Sequence, residues 1–288
     1  MLLPRFEFHE PRTMADACRL MGELGEKARP LAGGTDLLVN MKKKLLAPEH
    51  LVSLGRIEPL SELRTENNGL RLGAGLTAAE IAESPDVKDR FPALAEGASR
   101  LGSPLIRNLA TVAGNLASAR PAADFPPPLI AYGARVVVRN ASGEKTLPLE
   151  ELFRGPGVTV LGPEDLMEAV QLDAPEERSG AAYLKLGVRQ TLEISIVNVA
   201  AYLGLEDQKI QSARIVLGAV APIPMRAPSA EKALIGEAPS PALFVKAAEA
   251  AAVDAKPIDD FRASAAYRRD MVRTLTRRAL ETALARIE

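Results

Sequence analysis

A chain of 288 residues, 47% apolar and 25% charged, has the composition of an ordinary globular protein and, at about 150 residues per domain, the length of two domains. Its 36 basic and 37 acidic side chains leave a net charge of −1, which supplies no field for holding a polyanion and argues against nucleic acid as a partner. A single cysteine, Cys18, excludes an intrachain disulfide, and two histidines far apart in the sequence, His9 and His50, are not expected to supply a zinc or iron–sulfur ligand set. No metal is therefore expected in this chain. The N-terminus lacks the apolar core of a signal peptide and no stretch approaches about 18 uninterrupted apolar residues, so the expected compartment is the cytoplasm.

In chain order, Thr13 and Asp16 predict the start of a helix over Met14–Leu24, with Ala17, Leu20, Met21 and Leu24 at helical spacing and Gly25 as its stop. Cys18 within it reads as a packed small apolar side chain. Residues 29–32 predict a strand, Gly33-Gly34-Thr35 a turn and 36–41 a helix. Residues 50–54 predict a strand, and 63–65 pair with 70–72 across Asn67-Asn68-Gly69. Thr77 and Glu80 form a capping box, and 91–101 is a further helix. A second hairpin joins 134–139 to 144–147, followed by a strand over Leu166–Leu172. The polar, turn-rich stretch 173–180 marks a domain boundary, giving domains 1–176 and 177–288. Beyond it come strands over 182–186, 196–205 and 210–220, then helices. The last helix, about 263–287, is expected to bury Tyr267, Met271, Leu275 and Ala279 and to leave its arginines in solvent.

Three glycine-bearing segments invite a functional reading. Gly73-Ala74-Gly75-Leu76-Thr77-Ala78 fits a dinucleotide fingerprint, but Ser84-Pro85 closes its helix after two turns and a helix follows where a strand is required, so a plain strand-to-helix turn is preferred. The segment Leu31, Ala32, Gly33, Gly34, Thr35, Asp36, Leu37 and Leu38 follows a different logic. Adjacent glycines after a strand can turn successive backbone N–H groups into one concavity, which holds a phosphate without a lysine. Thr111, Val112, Ala113, Gly114 and Asn115 form a second neutral loop. Together the two could grip a pyrophosphate, although each alone reads equally as a turn.

The runs AGGTDLL, IRNLATVAGNLASARPAADFPPPLIAYGA, YLKLGVRQTLEISIVNVAA, GAVAPIPMRA and FRASAAYRRDMVRTLTRRAL together resemble the FAD-binding medium subunit of the molybdenum hydroxylases. That family includes the flavoprotein subunits of aerobic carbon monoxide dehydrogenase and 4-hydroxybenzoyl-CoA reductase and the central region of xanthine dehydrogenase. The resemblance implies an α+β fold: a two-part FAD-binding domain of the vanillyl-alcohol-oxidase (PCMH) type, divided near 57–62, then a smaller α+β domain with an antiparallel sheet and helices. It places the cofactor on residues 31–38 and 111–115, with Leu101 and Asp124 beside it and Met167 and Lys185 toward the isoalloxazine. Where many relatives have two glycines in the second loop, this chain has Ala113-Gly114, one conformationally permissive position fewer.

Read from the residues alone, Asp124 could equally cap the helix after it, and Met167 is as readily strand core as a wall of the flavin site. Lys185 in an apolar strand requires an anionic partner, for which the negative charge of reduced flavin is a candidate. Lys42-Lys43-Lys44 reads as a solvated helix end. The single cysteine excludes the additional iron–sulfur cluster that some relatives carry in this subunit. The function implied is electron transfer through FAD between two [2Fe–2S] clusters of a small partner subunit and an external redox partner. A large partner subunit would hold the molybdopterin cofactor, in a dimer of heterotrimers, with no catalytic acid, base or nucleophile in this chain. A self-sufficient flavin oxidase or dehydrogenase is the alternative, and a flavin-free scaffold a third reading.

Overall fold

Strand β1 (Glu7–His9), helix α1 (Met14–Leu24), strand β2 (Ala28–Leu31), helix α2 (Leu37–Lys42) and strand β3 (His50–Ser53) form the first unit of the computed structural model, which describes residues 2–189 and 191–287. Gln190, within the YLKLGVRQTLEIS run, lies outside the described residues, as do Met1 and Glu288. The strands are parallel in the order β1-β3-β2. Parallel neighbours need crossover connections, and α1 and α2 sit in them. Thr13 caps α1 by accepting from the Asp16 N–H at 3.1 Å, and Gly25, at φ +53°, ends it. Ala17, Cys18 and Met21 are the buried face of α1, so Cys18 packs as expected, and burial pushes its thiol pKa up. Although far apart in the sequence, the two histidines meet because β1 lies beside β3, with ring centroids 5.3 Å apart.

The second unit is a five-stranded antiparallel sheet with a helical insertion. Strands β4 (Leu63–Glu66) and β5 (Gly69–Gly73) form the expected hairpin, Asn67 and Asn68 taking the positive φ values its two-residue turn demands. Six short helices follow: α3 (Ala78–Glu83), α4 (Pro85–Arg90), α5 (Pro92–Arg100), α6 (Pro104–Arg107), α7 (Val112–Ala117) and α8 (Pro126–Ala131). Both halves of the Thr77–Glu80 capping box are present. Strands β6 (Arg135–Asn140) and β7 (Gly143–Pro148), the small pair β8 (Phe153–Gly155) and β9 (Val158–Thr159), and β10 (Leu166–Leu172) complete the unit. The sheet order is β4-β5-β10-β6-β7. The turn after β5 is a packing joint, since the Gly75 N–H donates to the Leu60 carbonyl at 2.7 Å.

Strands β11 (Ser179–Leu186), β12 (Val197–Glu206), β13 (Lys209–Gly218) and β14 (Met225–Arg226) form an antiparallel sheet in chain order, followed by α9 (Pro228–Leu234), α10 (Pro241–Asp254) and α11 (Ala265–Ala285). The apolar run in β12 is continuous because both faces of this sheet are covered. Val199, Ala201 and Leu203 join a core with α10 and α11, whereas Ala200 and Tyr202, alternating with them, join the core of the first 170 or so residues. Tyr132 bridges the two regions, edge-on to Phe91 at 5.1 Å and to Tyr202 at 5.9 Å.

Helix α11 departs from expectation. Its buried face is Arg268, Val272, Leu275, Thr276, Ala279, Leu280 and Ala283, while Tyr267 is exposed and Met271 half-buried. A row taken at every fourth residue drifts by about 40° per step on a helix of 3.6 residues per turn, so the expected stripe begins at the edge and enters the core only at Leu275. Arg268 is buried because its guanidinium donates to the Ala219 carbonyl at 2.7 Å, to the Ile196 carbonyl at 3.1 Å and to Asp260 at 2.8 Å. Among the described residues no helix is long and apolar enough to cross a membrane.

Candidate functional site

The first loop leaves β2 at the surface and is shaped by two glycines with different duties. A Cβ at Gly33 would lie 1.7 Å from the carbonyl oxygen of Leu109, so the absence of a side chain there lets the first loop press onto the segment that leads into the second. Gly34 sits at φ +70°, where a Cβ would also crowd Leu38 and Leu31 at 2.9–3.1 Å. Beyond them Leu38 N–H returns to the Gly34 carbonyl at 3.0 Å and starts α2. Among the described residues, the N–H groups of Gly33, Gly34, Thr35 and Asp36 donate to no protein acceptor. The loop thus presents consecutive N–H groups that no protein acceptor takes.

The second loop behaves differently. Thr111 is the N-cap of α7 and accepts from the Gly114 N–H at 3.1 Å. The Val112 N–H donates to Leu76 at 2.9 Å, Ala113 to Ala74 at 3.3 Å and Asn115 to Thr111 at 3.0 Å. The backbone donors of 112–115 are therefore consumed within the protein, and this loop can offer a ligand side chains and an apolar surface rather than a second nest. Its residues take negative φ throughout, so Ala113 in place of a glycine changes nothing in the path. Asn115 supplies the polar handle: its Oδ1 is buried without a hydrogen-bond partner. A buried unpaired acceptor costs about 1–3 kcal/mol unless a donor reaches it.

Leu101, Met167, Asp124 and Lys185 are the remaining predicted residues. The Leu101 carbonyl accepts from Arg107 Nη1 at 3.0 Å across α6, and Leu192 N–H donates to the neighbouring Gly102 at 2.9 Å. Met167 is buried in β10 just before a bulge, and the Glu168 carbonyl beside it accepts from Ala74, which in turn receives the Ala113 N–H.

Asp124 and Lys185 come together. Lys185 Nζ lies 2.9 Å from Asp124 Oδ2 and also donates to the Arg100 carbonyl at 3.1 Å. The Tyr183 hydroxyl donates to Asp124 Oδ1 at 2.7 Å and Ser195 Oγ to the same oxygen at 3.3 Å. Asn198 supports Ser195 from 3.1 Å. Both members of the pair are buried, with 7% and 8% of their side-chain surface exposed. Burial pushes the Asp124 carboxyl above its ordinary range despite the opposing pull of Lys185 and the hydroxyl donors. Burial, then the Asp124 charge, raises Tyr183 far above an ordinary phenol and keeps it a donor. Two sequence readings are corrected here. Asp124 makes no cap for α8, and the anion that Lys185 requires is this aspartate. Tyr183 and Ser195 were not among the predicted residues, although Tyr183, two positions before Lys185, shares its face of β11.

FAD fits this set: open N–H donors in one loop suit a pyrophosphate, and the unpaired Asn115 Oδ1 suits a donor on the ligand. Residues 4–175 match the family model described as the FAD binding domain in molybdopterin dehydrogenase, and residues 182–283 match that of the CO dehydrogenase flavoprotein C-terminal domain. The chain belongs to the FAD-binding medium subunits of the molybdenum hydroxylase family, with the two-domain fold expected of it and FAD as its cofactor. It is 34% identical over 286 residues to the carbon monoxide dehydrogenase medium chain of Hydrogenophaga pseudoflava, spanning 99% of each chain. It is 32% identical to the nicotine 6-hydroxylase medium subunit of Paenarthrobacter nicotinovorans, over 99% of this chain and 100% of that one. Its structure superposes on a chain of the Hydrogenophaga pseudoflava carbon monoxide dehydrogenase that lacks the Mo-pyranopterin moiety, with a TM-score of 0.95, 35% identity and 99% of both chains covered.

Proposed function

We propose that this FAD subunit is the electron-transfer flavoprotein of a three-subunit molybdopterin enzyme, in which electrons pass, by way of its FAD, between [2Fe–2S] clusters of a small partner subunit and an external redox partner. A large partner subunit holds the molybdopterin cofactor, and the assembly is a dimer of heterotrimers. The observation that carries the reading is the pair of docked loops, with open N–H groups on Gly33 to Asp36 and an unpaired Asn115 Oδ1. Bound FAD supplies the one- and two-electron chemistry, and the protein's contribution is binding and orientation. In this reading the N–H groups of 33–36 hold the pyrophosphate, Asn115 Oδ1 accepts from the cofactor, and Leu31, Ala32, Leu37, Leu38, Leu101, Thr111, Val112, Ala113 and Gly114 form its walls. Met167 and the Lys185–Asp124 pair set the isoalloxazine end. The division into domains 1–176 and 177–288 belongs to the same proposal, supported by the change of sheet across the polar stretch between β10 and β11.

A lasting partner surface is supported by apolar side chains left in solvent beside the loops. Leu105 and Leu109 are 78% and 57% exposed, and Val188, Leu192 and Ile194 are exposed on the loop that hydrogen-bonds to Gly102. Large apolar side chains left exposed on segments joined in this way are a feature of interaction sites. Isolation of the chain from its source cells under mild conditions is expected to yield flavin, iron, labile sulfide and molybdenum in fixed ratio. Chain that purifies alone, binds FAD and oxidises a substrate with an artificial acceptor would establish the self-sufficient oxidase instead.

A further inference from the structure

The two imidazoles, separated by 41 positions in sequence, converge with a carboxylate on the sheet that carries the first glycine loop. β1 and β3 run parallel with Glu7 beside His50. Side chains two positions apart on a strand share a face, so Glu7 and His9 project together, and His50, paired laterally with Glu7, joins them. His9 Nε2 lies 3.2 Å from His50 Nδ1, and Glu7 Oε2 lies 3.4 Å from the same nitrogen. All three donor atoms lie within 4.8 Å of one another.

His50 Nδ1 can donate to the His9 lone pair or to the Glu7 carboxylate, or accept from His9, but it cannot serve both neighbours with one proton, so water must complete the arrangement at the exposed Glu7. One cation at the centre satisfies all three directly. Bonds of about 2.0–2.1 Å in a tetrahedron put adjacent donors about 3.3–3.4 Å apart; the two edges at His50 Nδ1, 3.2 and 3.4 Å, match that spacing, while the Glu7–His9 edge is wider and closes when the exposed Glu7 carboxylate turns inward onto the ion. Two imidazoles with one carboxylate suit zinc and its neighbours rather than magnesium or calcium, which favour oxygen.

We propose that Glu7, His9 and His50 form a binding site for a divalent transition-metal ion, zinc foremost, which ties the N-terminal strand β1 to β3. Strand β3 is central in this sheet and pairs with β2, whose end opens into residues 32–36. The ion therefore braces the sheet behind the first loop without touching the loop. The Glu7 side chain is 75% exposed, so the site opens to solvent, with a fourth position left for water.

The test uses the full-length chain without an affinity tag, freed of metal by chelation and titrated with cobalt(II) against a flavin baseline. The expected result is one cobalt per chain, with the intense visible ligand-field bands of four- or five-coordinate cobalt, displaced by zinc and accompanied by a rise in Tm. His9→Ala and His50→Ala should lose those bands. Glu7→Gln, at an exposed position that leaves the packing intact, should weaken binding on the order of tenfold or more, since even groups that only orient a ligand are worth that much. The proposal is overturned by the absence of saturable cobalt binding, by unchanged binding in a folded His9→Ala variant, or by unchanged affinity in Glu7→Gln.

Discussion

Replacing Lys185 by methionine keeps most of the length and the apolar stem of the side chain and removes its charge, leaving Asp124 without its cation. Removing one partner of a buried ion pair costs about 3–5 kcal/mol, because the other charge remains buried and uncompensated. Here two features place the cost at the low end. Asp124 retains the Tyr183 and Ser195 hydroxyls, and burial already raises its pKa, so it can take up a proton instead of remaining charged. The expected loss is about 3 kcal/mol at neutral pH. The proton sets the pH dependence. An unfolded aspartate titrates near about 3.9, and the folded variant's Asp124 titrates above that, so between the two values the folded state binds more protons. Stability of the variant therefore falls as pH rises through that window, by at most about 1.4 kcal/mol per pH unit, and levels off once Asp124 ionises. The wild-type chain, with Lys185 in place, should show a shallower fall, so the gap between the two widens with pH. Urea unfolding of both chains at a series of pH values, followed by circular dichroism, measures this directly. A gap below about 1 kcal/mol at neutral pH, or one that does not change with pH, would refute the assignment of Asp124 as the buried, proton-accepting partner.

Three further outcomes are expected. Gly33→Ala drives a Cβ into the Leu109 carbonyl, so the two loops must separate at a cost on the order of 2–3 kcal/mol, and FAD should be lost. Gly34→Ala, strained by its positive φ, should cost about 1–2 kcal/mol, and a fully flavinated Gly33→Ala chain of normal Tm would disprove the docking of the loops. Asn115→Leu removes an unpaired buried acceptor, so the FAD-free chain should be as stable as wild type or slightly more so while flavin absorbance after purification falls; unchanged flavin content would remove Asn115 from the cofactor site. If the Lys185–Asp124 pair faces the isoalloxazine, Lys185→Met should lower the two-electron potential and Asp124→Asn should raise it. Each shift is expected at tens of millivolts, since about 1 kcal/mol corresponds to about 20 mV, and equal potentials in a spectroelectrochemical titration would place the pair away from the flavin.

The sequence by itself determined what depends on near neighbours in the chain. The Thr13 cap, the Thr77–Glu80 capping box and the Asn67-Asn68 hairpin each rest on contacts a few residues apart and on turn dihedrals that residue type dictates, so they stand where they were expected. The glycine turn after β2 was legible for the same reason, and so was the strand over β12. Tertiary structure alone decided the partners. Asp124 and Lys185 meet across 61 positions and the two histidines across 41, and the N–H groups of the second loop are taken by Leu76 and Ala74. Strand order and helix placement bring those groups together, and neither leaves a periodicity or spacing in the chain. A local hydrogen bond closes a short loop whose geometry the residues themselves restrict, whereas a long-range pair is selected by the whole fold, where shifting one strand by a single residue would turn Lys185 to the opposite face of its sheet.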